Sequence, residues 1–139
     1  MNMWSQAKET TWPRPSRSAK ILLVDDEPSV QTVLARRLHA EGYSVVTASD
    51  GEEAVQMAGR ERPDVILLDI MLPKMSGNAV AAQLHENSET ADIPVIFITC
   101  LVNNAEARVM SYMSGGNRIM GKPVDSDDLI QLIEQARRT

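Results

Sequence analysis

The stretch KILLVDDEPSV, residues 20–30, joins a short apolar run to three consecutive acidic residues. Residues 21–24 are all aliphatic, which is typical of a strand buried on both faces of a parallel sheet. The acidic turn, residues 25–27, follows at once, although adjacent carboxylates repel one another and are costly to remove from water without a partner. Pro28 suits the first turn of a helix. The stretch therefore predicts a strand, an acidic turn that needs a partner, and a helix.

The alternation of apolar runs with helical patterns continues through the chain. Strands are predicted at residues 21–25, 43–49, 65–69, 94–99 and 118–122. Helices are predicted from Pro28 to the turn at Gly42, from an Asp50 cap to Pro63, at about 78–85 and 104–113, and after Asp125. In the first helix, helical spacing predicts an apolar face that contains Val30, Val33, Leu34 and Leu38. Strand–helix units with short connections predict the α/β class: a doubly wound, five-stranded parallel sheet in a single domain.

The composition is that of an ordinary globular domain. The chain has 139 residues, of which 43% are hydrophobic and 24% charged, and its formal net charge is -5. This length supports one domain, and the negative charge argues against nucleic-acid binding through bulk electrostatics. The apolar runs are too short to cross a membrane and the N-terminal residues lack a signal-peptide pattern, so we expect a cytoplasmic protein. Residues 1–18 are expected to form a flexible extension before a domain at residues 19–139.

Polar side chains collect at the ends of the predicted strands, where doubly wound folds bind their ligands. Four of the five strands supply them, in the order Asp25 and Asp26, Asp69, Thr99 and Lys122. One aspartate at a strand end is common because it caps turns and helices, but that does not explain the whole set. Mg²⁺ would offset the repulsion between the carboxylates, since it binds carboxylate oxygens together with water and phosphate. Beside such an ion a carboxylate can accept a phosphoryl group, and Thr99 and Lys122 suit the phosphate oxygens.

Four motifs along the chain resemble the receiver domain of bacterial two-component response regulators. They are ILLVDDEP, VILLDIMLPKMSG, PVIFIT and GKP, in that order, and the resemblance covers about residues 20–138. It implies a flavodoxin-like strand order of 2-1-3-4-5. It also implies that Asp69 is the phospho-acceptor, that Thr99 is the switch hydroxyl and that Lys122 pairs with the phosphate. The implied Mg²⁺ ligands are Asp25, Asp26, Asp69 and the backbone carbonyl of Met71.

The resemblance implies a signalling mechanism and its partners. A sensor histidine kinase or a phosphotransfer protein would donate the phosphoryl group to Asp69. The acyl phosphate would then switch the face formed by the predicted helix at residues 104–113, the fifth strand and the last helix, which would bind an unknown downstream protein. No direct nucleic-acid binding and no membrane contact are expected. The domain would catalyse only its own phosphorylation and dephosphorylation, so it is not expected to be an enzyme.

Two features depart from the family pattern or add to it. Ile119 stands where most receivers have a tyrosine or phenylalanine that couples to the switch hydroxyl. Met71 and Leu101 would lie over the acyl phosphate without a group that orients an attacking water, so slow self-dephosphorylation is predicted.

Two other functions are compatible with parts of the sequence. A pseudo-receiver that acts through protein contacts without phosphorylation would fit Ile119, but the three aspartates and Lys122 argue against it. An Mg²⁺-dependent aspartyl-phosphate phosphatase would need a second aspartate two residues after the nucleophile. Here Asp69 is followed by Ile70 and Met71.

Overall fold

The computed structural model describes residues 19–99, 118–121 and 125–138. These residues form β1 (Lys20–Val24), α1 (Pro28–Ala40), β2 (Ser44–Ala48), α2 (Gly51–Glu61), β3 (Val65–Asp69), α3 (Gly77–Glu86), β4 (Val95–Thr99), β5 (Arg118–Gly121) and α4 (Ser126–Arg138). Three expectations from the sequence fall outside the described residues. They are the extension at residues 1–18, the helix at residues 104–113 and the placement of Lys122.

The five strands form one parallel sheet in the order β2-β1-β3-β4-β5. The predicted doubly wound sheet and its flavodoxin-like order are therefore confirmed. Parallel neighbours require a crossover connection, and α1, α2 and α3 lie in the connections between β1 and β2, β2 and β3, and β3 and β4. Because β1 and β3 are neighbours, the chain segments that follow Val24 and Leu68 begin at the same edge of the sheet.

The strand side chains build a core on both faces of the sheet, as the unbroken apolar runs predict. In β1, Ile21 and Leu23 pack on the face that carries α1 and α4. Leu22 and Val24 point to the opposite face, which carries α2 and α3. All four side chains are almost completely buried, and burial of each contributes about 1.5–3 kcal/mol. Because both faces of β1 are buried, the position of its carboxyl end within the sheet is fixed.

One residue of the predicted apolar face of α1 does not face the core. Leu34 and Leu38 are buried and Val30 packs against them, which gives a stripe at intervals of four residues. Val33 is 60% exposed, so its assignment to the buried face was wrong. The physical reason is that Val33 lies about 100° around the helix from Leu34, beyond the edge of the stripe that meets the sheet.

Candidate acidic site at the carboxyl ends of the strands

The register of β1 and β3 brings two of the predicted acids to the same level. Val24 pairs with Leu68, and Asp25 and Asp69 are the residues that follow them along the chain. Asp26 continues the acidic turn. Carboxylate oxygens of Asp25, Asp26 and Asp69 all lie within 4.8 Å of one another. The structure thus brings together the three acids that the sequence placed at strand ends.

Backbone amides hold two of these carboxylates in place. Asp25 is 2% exposed, and its Oδ1 accepts a 2.9 Å hydrogen bond from the N–H of Glu27. Asp69 is 6% exposed, and its Oδ1 accepts a 2.9 Å hydrogen bond from the N–H of Met71. Asp26, in contrast, is exposed. The site therefore combines two buried, oriented carboxylates with one that faces solvent.

The loop after β3 is fastened close to Asp69. The N–H of Ile70 donates to the carbonyl of Ile98 at 3.2 Å, and the N–H of Gly77 donates to the carbonyl of Ile70 at 2.9 Å. Lys74 has a positive φ of 70°, so the loop makes a sharp turn there. The side chain of Met71 is 56% exposed. These contacts fix both ends of the loop while Met71 remains open to solvent.

Of the two residues predicted to contact the phosphate, Thr99 and Lys122, the structure describes only Thr99. Thr99 is the last residue of β4 and pairs with Gly121 of β5, which places its backbone at the same edge of the sheet as the acids. Lys122 follows Gly121 in the sequence but lies outside the described residues, so the structure does not test its placement.

Gln31, which lies beside the acidic turn, was not among the residues predicted from the sequence. Its side-chain Nε2 lies 2.5 Å from the backbone oxygen of Asp25 and 3.0 Å from that of Ala48. Its position within an amphipathic helix gave no signal, because a polar residue there normally faces solvent.

Residues 21–134 match the family model of the response regulator receiver domain, and the chain belongs to this family. Among solved structures, it is similar to the receiver domain of the sensor histidine kinase PA1611 from Pseudomonas aeruginosa. The two are 30% identical with a TM-score of 0.78, over 88% of this chain and 99% of that one. The PA1611 domain was solved with a magnesium ion coordinated in its active-site cleft. The chemotaxis protein CheY4 of Vibrio cholerae is 28% identical with a TM-score of 0.75, over 85% of this chain and 98% of that one.

The curated relatives are longer proteins. The response regulator PleD of Caulobacter vibrioides is 40% identical over 87% of this chain, which corresponds to 26% of PleD. The alkaline phosphatase synthesis transcriptional regulatory protein PhoP of Bacillus subtilis is 42% identical over 75% of this chain and 42% of PhoP. The chain thus spans less than half the length of either relative. Within the described residues, no helix combines the length and apolar character needed to cross a membrane.

The donor set of the acidic site fits a hard divalent cation. Asp25, Asp26 and Asp69 offer only oxygen ligands, and a cation of charge two offsets the repulsion that three clustered carboxylates create. Mg²⁺ needs few protein ligands because it retains several waters, which suits a site with one side open to solvent.

Proposed function

We propose that this domain is a phosphoacceptor signalling module in which Asp69 receives a phosphoryl group. The observation that carries the proposal is the meeting of three carboxylates within 4.8 Å at the ends of β1 and β3. A structural role alone would not favour such a cluster, because it costs electrostatic energy in the absence of a cation. Asp69 is also the carboxylate that a family member would phosphorylate.

The proposed metal is Mg²⁺. Asp25, Asp26 and Asp69 would hold it with the backbone carbonyl of Met71, and bound Mg²⁺ would offset the charge of the carboxylates and of the incoming phosphoryl oxygens. The magnesium of the PA1611 receiver supports this choice, since that domain has the same fold.

The remaining chemistry belongs to the side chains of this domain. A carboxylate oxygen of Asp69 forms a bond to phosphorus, the bond between phosphorus and the donor atom breaks, and its electron pair leaves with the donor. The N–H of Met71 holds the Asp69 carboxylate in one orientation, which reduces the entropic cost of the attack. We propose that the Thr99 hydroxyl and the Lys122 ammonium group donate hydrogen bonds to the phosphoryl oxygens of the product.

The donor would be a sensor histidine kinase or a phosphotransfer protein, and the product would switch the face around β5 and α4 towards a downstream protein. Ile119 of β5 pairs with Phe97 and packs partly buried against the core on the α2 and α3 face. An aliphatic side chain has no polar tip to exchange between buried and exposed states, so we propose that backbone movement at β5 transmits the change. Protein partners are proposed for this domain, and a nucleic-acid-binding segment elsewhere in a longer protein is compatible with that proposal.

Intact mass spectrometry tests the proposal directly. The protein is incubated with Mg²⁺ and acetyl phosphate, a small phosphodonor, beside the variants Asp69→Asn and Asp92→Asn. We expect one phosphate adduct in the unchanged protein and in Asp92→Asn, an exposed aspartate in the connection after α3. We expect none in Asp69→Asn. Removal of Mg²⁺ with a chelator is expected to suppress the adduct.

Two results would contradict the proposal and favour the alternatives. Absence of any adduct in the unchanged protein at saturating Mg²⁺ would favour a pseudo-receiver. Continuous release of phosphate from monoesters, lost in Asp69→Asn, would favour a phosphatase.

Exposed Met71 leads to a prediction about the lifetime of the phosphorylated form. Hydrolysis of the acyl phosphate needs a water in line with phosphorus, and the Met71 side chain cannot orient one by hydrogen bonding. We expect the adduct to outlast several seconds at neutral pH, and Met71→Asn to shorten its lifetime severalfold because an amide can bind a water. The lifetime is measured by mass spectrometry, as the decrease of the phosphate adduct after the phosphodonor is removed. The second residue of this prediction, Leu101, lies outside the described residues.

Val33→Asn is the matched control, since it makes the same polar change at an exposed apolar residue of α1. A lifetime of a few seconds in the unchanged protein would contradict the prediction. So would equal lifetimes for the unchanged protein and Met71→Asn.

A further inference from the structure

Gln31 ends the first turn of α1, directly behind the acidic turn. Its Nε2 lies 2.5 Å from the backbone oxygen of Asp25, 3.0 Å from that of Ala48, and 3.3 Å from the hydroxyl oxygen of Ser49. A primary amide has two N–H groups, and the two shortest contacts engage the carbonyls that follow β1 and end β2. One side chain of α1 thus joins the carboxyl ends of two neighbouring strands.

The acidic turn is held by hydrogen bonds on both sides of Asp26. The N–H of Asp25 donates to the carbonyl of Ala48 at 3.1 Å, and the N–H of Gln31 donates to the carbonyl of Glu27 at 3.1 Å. Gln31 therefore contacts the turn twice, with its side chain at Asp25 and its backbone at Glu27. Asp26 lies between these two points, with its side chain exposed.

We propose that Gln31 is a positioning residue for metal binding. Its amide fixes the backbone of Asp25, and this sets the places from which Asp25 and Asp26 present their carboxylates to Mg²⁺. The inference rests on the proposed function, because it takes the acidic site as the metal site. Repulsion among three carboxylates within 4.8 Å of one another favours their separation, and hydrogen bonds from α1 oppose a movement of the turn in that direction.

A neutral amide suits this position for an electrostatic reason. Its N–H groups satisfy two carbonyls without adding positive charge beside the acids. A lysine or arginine with the same contacts would reduce the negative potential that attracts the cation. Removal of a group that hydrogen-bonds to the metal ligands and orients them, without contacting the metal, weakens metal binding by about 10–100-fold. The effect of Gln31 therefore falls on Mg²⁺ affinity and leaves the phosphoryl transfer step unchanged.

Gln31→Met tests this, because it keeps the length of the side chain and removes both N–H donors. We expect about tenfold weaker Mg²⁺ binding by isothermal titration calorimetry. The Mg²⁺ concentration for half-maximal phosphorylation by acetyl phosphate is expected to rise by the same factor. At saturating Mg²⁺ the phosphorylation rate is expected to return to nearly that of the unchanged protein. General destabilisation of the protein would not weaken Mg²⁺ binding and at the same time leave the phosphorylation rate at saturating Mg²⁺ unchanged.

Two further variants sharpen the test. Gln56→Met makes the same change at an exposed residue of α2 and is expected to leave Mg²⁺ affinity unchanged. Gln31→Asn keeps the amide but is one methylene shorter, so it cannot reach both carbonyls, and it is expected to weaken Mg²⁺ binding. Thermal unfolding without Mg²⁺ establishes that each variant is folded at the temperature of the titration.

The possible outcomes separate this inference from the function on which it rests. Unchanged Mg²⁺ affinity in folded Gln31→Met and Gln31→Asn would overturn the role of Gln31 and leave the proposed function intact. A phosphorylation rate that stays low at saturating Mg²⁺ would also overturn it, since positioning of the metal ligands would not explain the loss. Absence of Mg²⁺ binding by the unchanged protein would overturn both.

Discussion

Asp26→Asn is expected to slow phosphorylation of Asp69 by about 100-fold or more, because it removes one of the three carboxylates proposed to hold the metal and a bound metal stabilises phosphoryl transfer by several kcal/mol. The same change is expected to stabilise the metal-free protein. Two unit charges 4.8 Å apart repel by roughly 1 kcal/mol in surroundings like water, and the variant relieves this repulsion. Activity and metal-free stability should therefore move in opposite directions.

The rate is measured by intact mass at fixed Mg²⁺ and acetyl phosphate, and the stability by urea unfolding with and without Mg²⁺. Mg²⁺ is expected to stabilise the unchanged protein in proportion to its binding, and to have little effect on Asp26→Asn. Asp92→Asn is the control for loss of one negative charge at an exposed site, and it should change neither quantity. A phosphorylation rate in Asp26→Asn within a few-fold of the unchanged protein would contradict the role of Asp26.

The sequence predicted the fold and the meeting of the acids because both follow from short-range patterns and one topological rule. The apolar runs before Asp25 and Asp69 have the length and composition of strands in the interior of a parallel sheet. Once β1 and β3 are neighbours, the acids that follow them must share an edge. The repulsion between them is itself the signal, because clustered carboxylates need a positive charge nearby.

The sequence did not reveal the residues that hold the site in place. Gln31 is one of several glutamines on helices, and only the distance from its amide to the carbonyl of Asp25 sets it apart. Val33 was included in the apolar face of α1 because apolar character is a cruder measure than the angle around the helix. In each case the deciding quantity is a position in space that local sequence does not fix.

Gly77→Ala is expected to destabilise the protein by about 2 kcal/mol, because a Cβ at this position would overpack the loop beside the acidic site. It would lie 2.7 Å from the backbone oxygen of Asp69 and 2.8 Å from the Cα of Ile70. Backbone atoms cannot move aside as the end of a flexible side chain can. The strain therefore falls on the backbone of Asp69, the proposed phospho-acceptor. Slower phosphorylation is expected together with the loss of stability.

Gly59→Ala provides the matched control, since a methyl group added at this position of α2 has no atom within 4 Å apart from its chain neighbours and the adjacent backbone of its own helix. Alanine favours a helix interior over glycine by about 0.5–1 kcal/mol, so this variant should be more stable than the unchanged protein and equally active. Urea unfolding of both variants, together with phosphorylation by acetyl phosphate, measures the contrast. Equal stabilities for the two variants would show that the loop after β3 relaxes around an added methyl group, and the close approach of Gly77 to Asp69 would then not be required for the site.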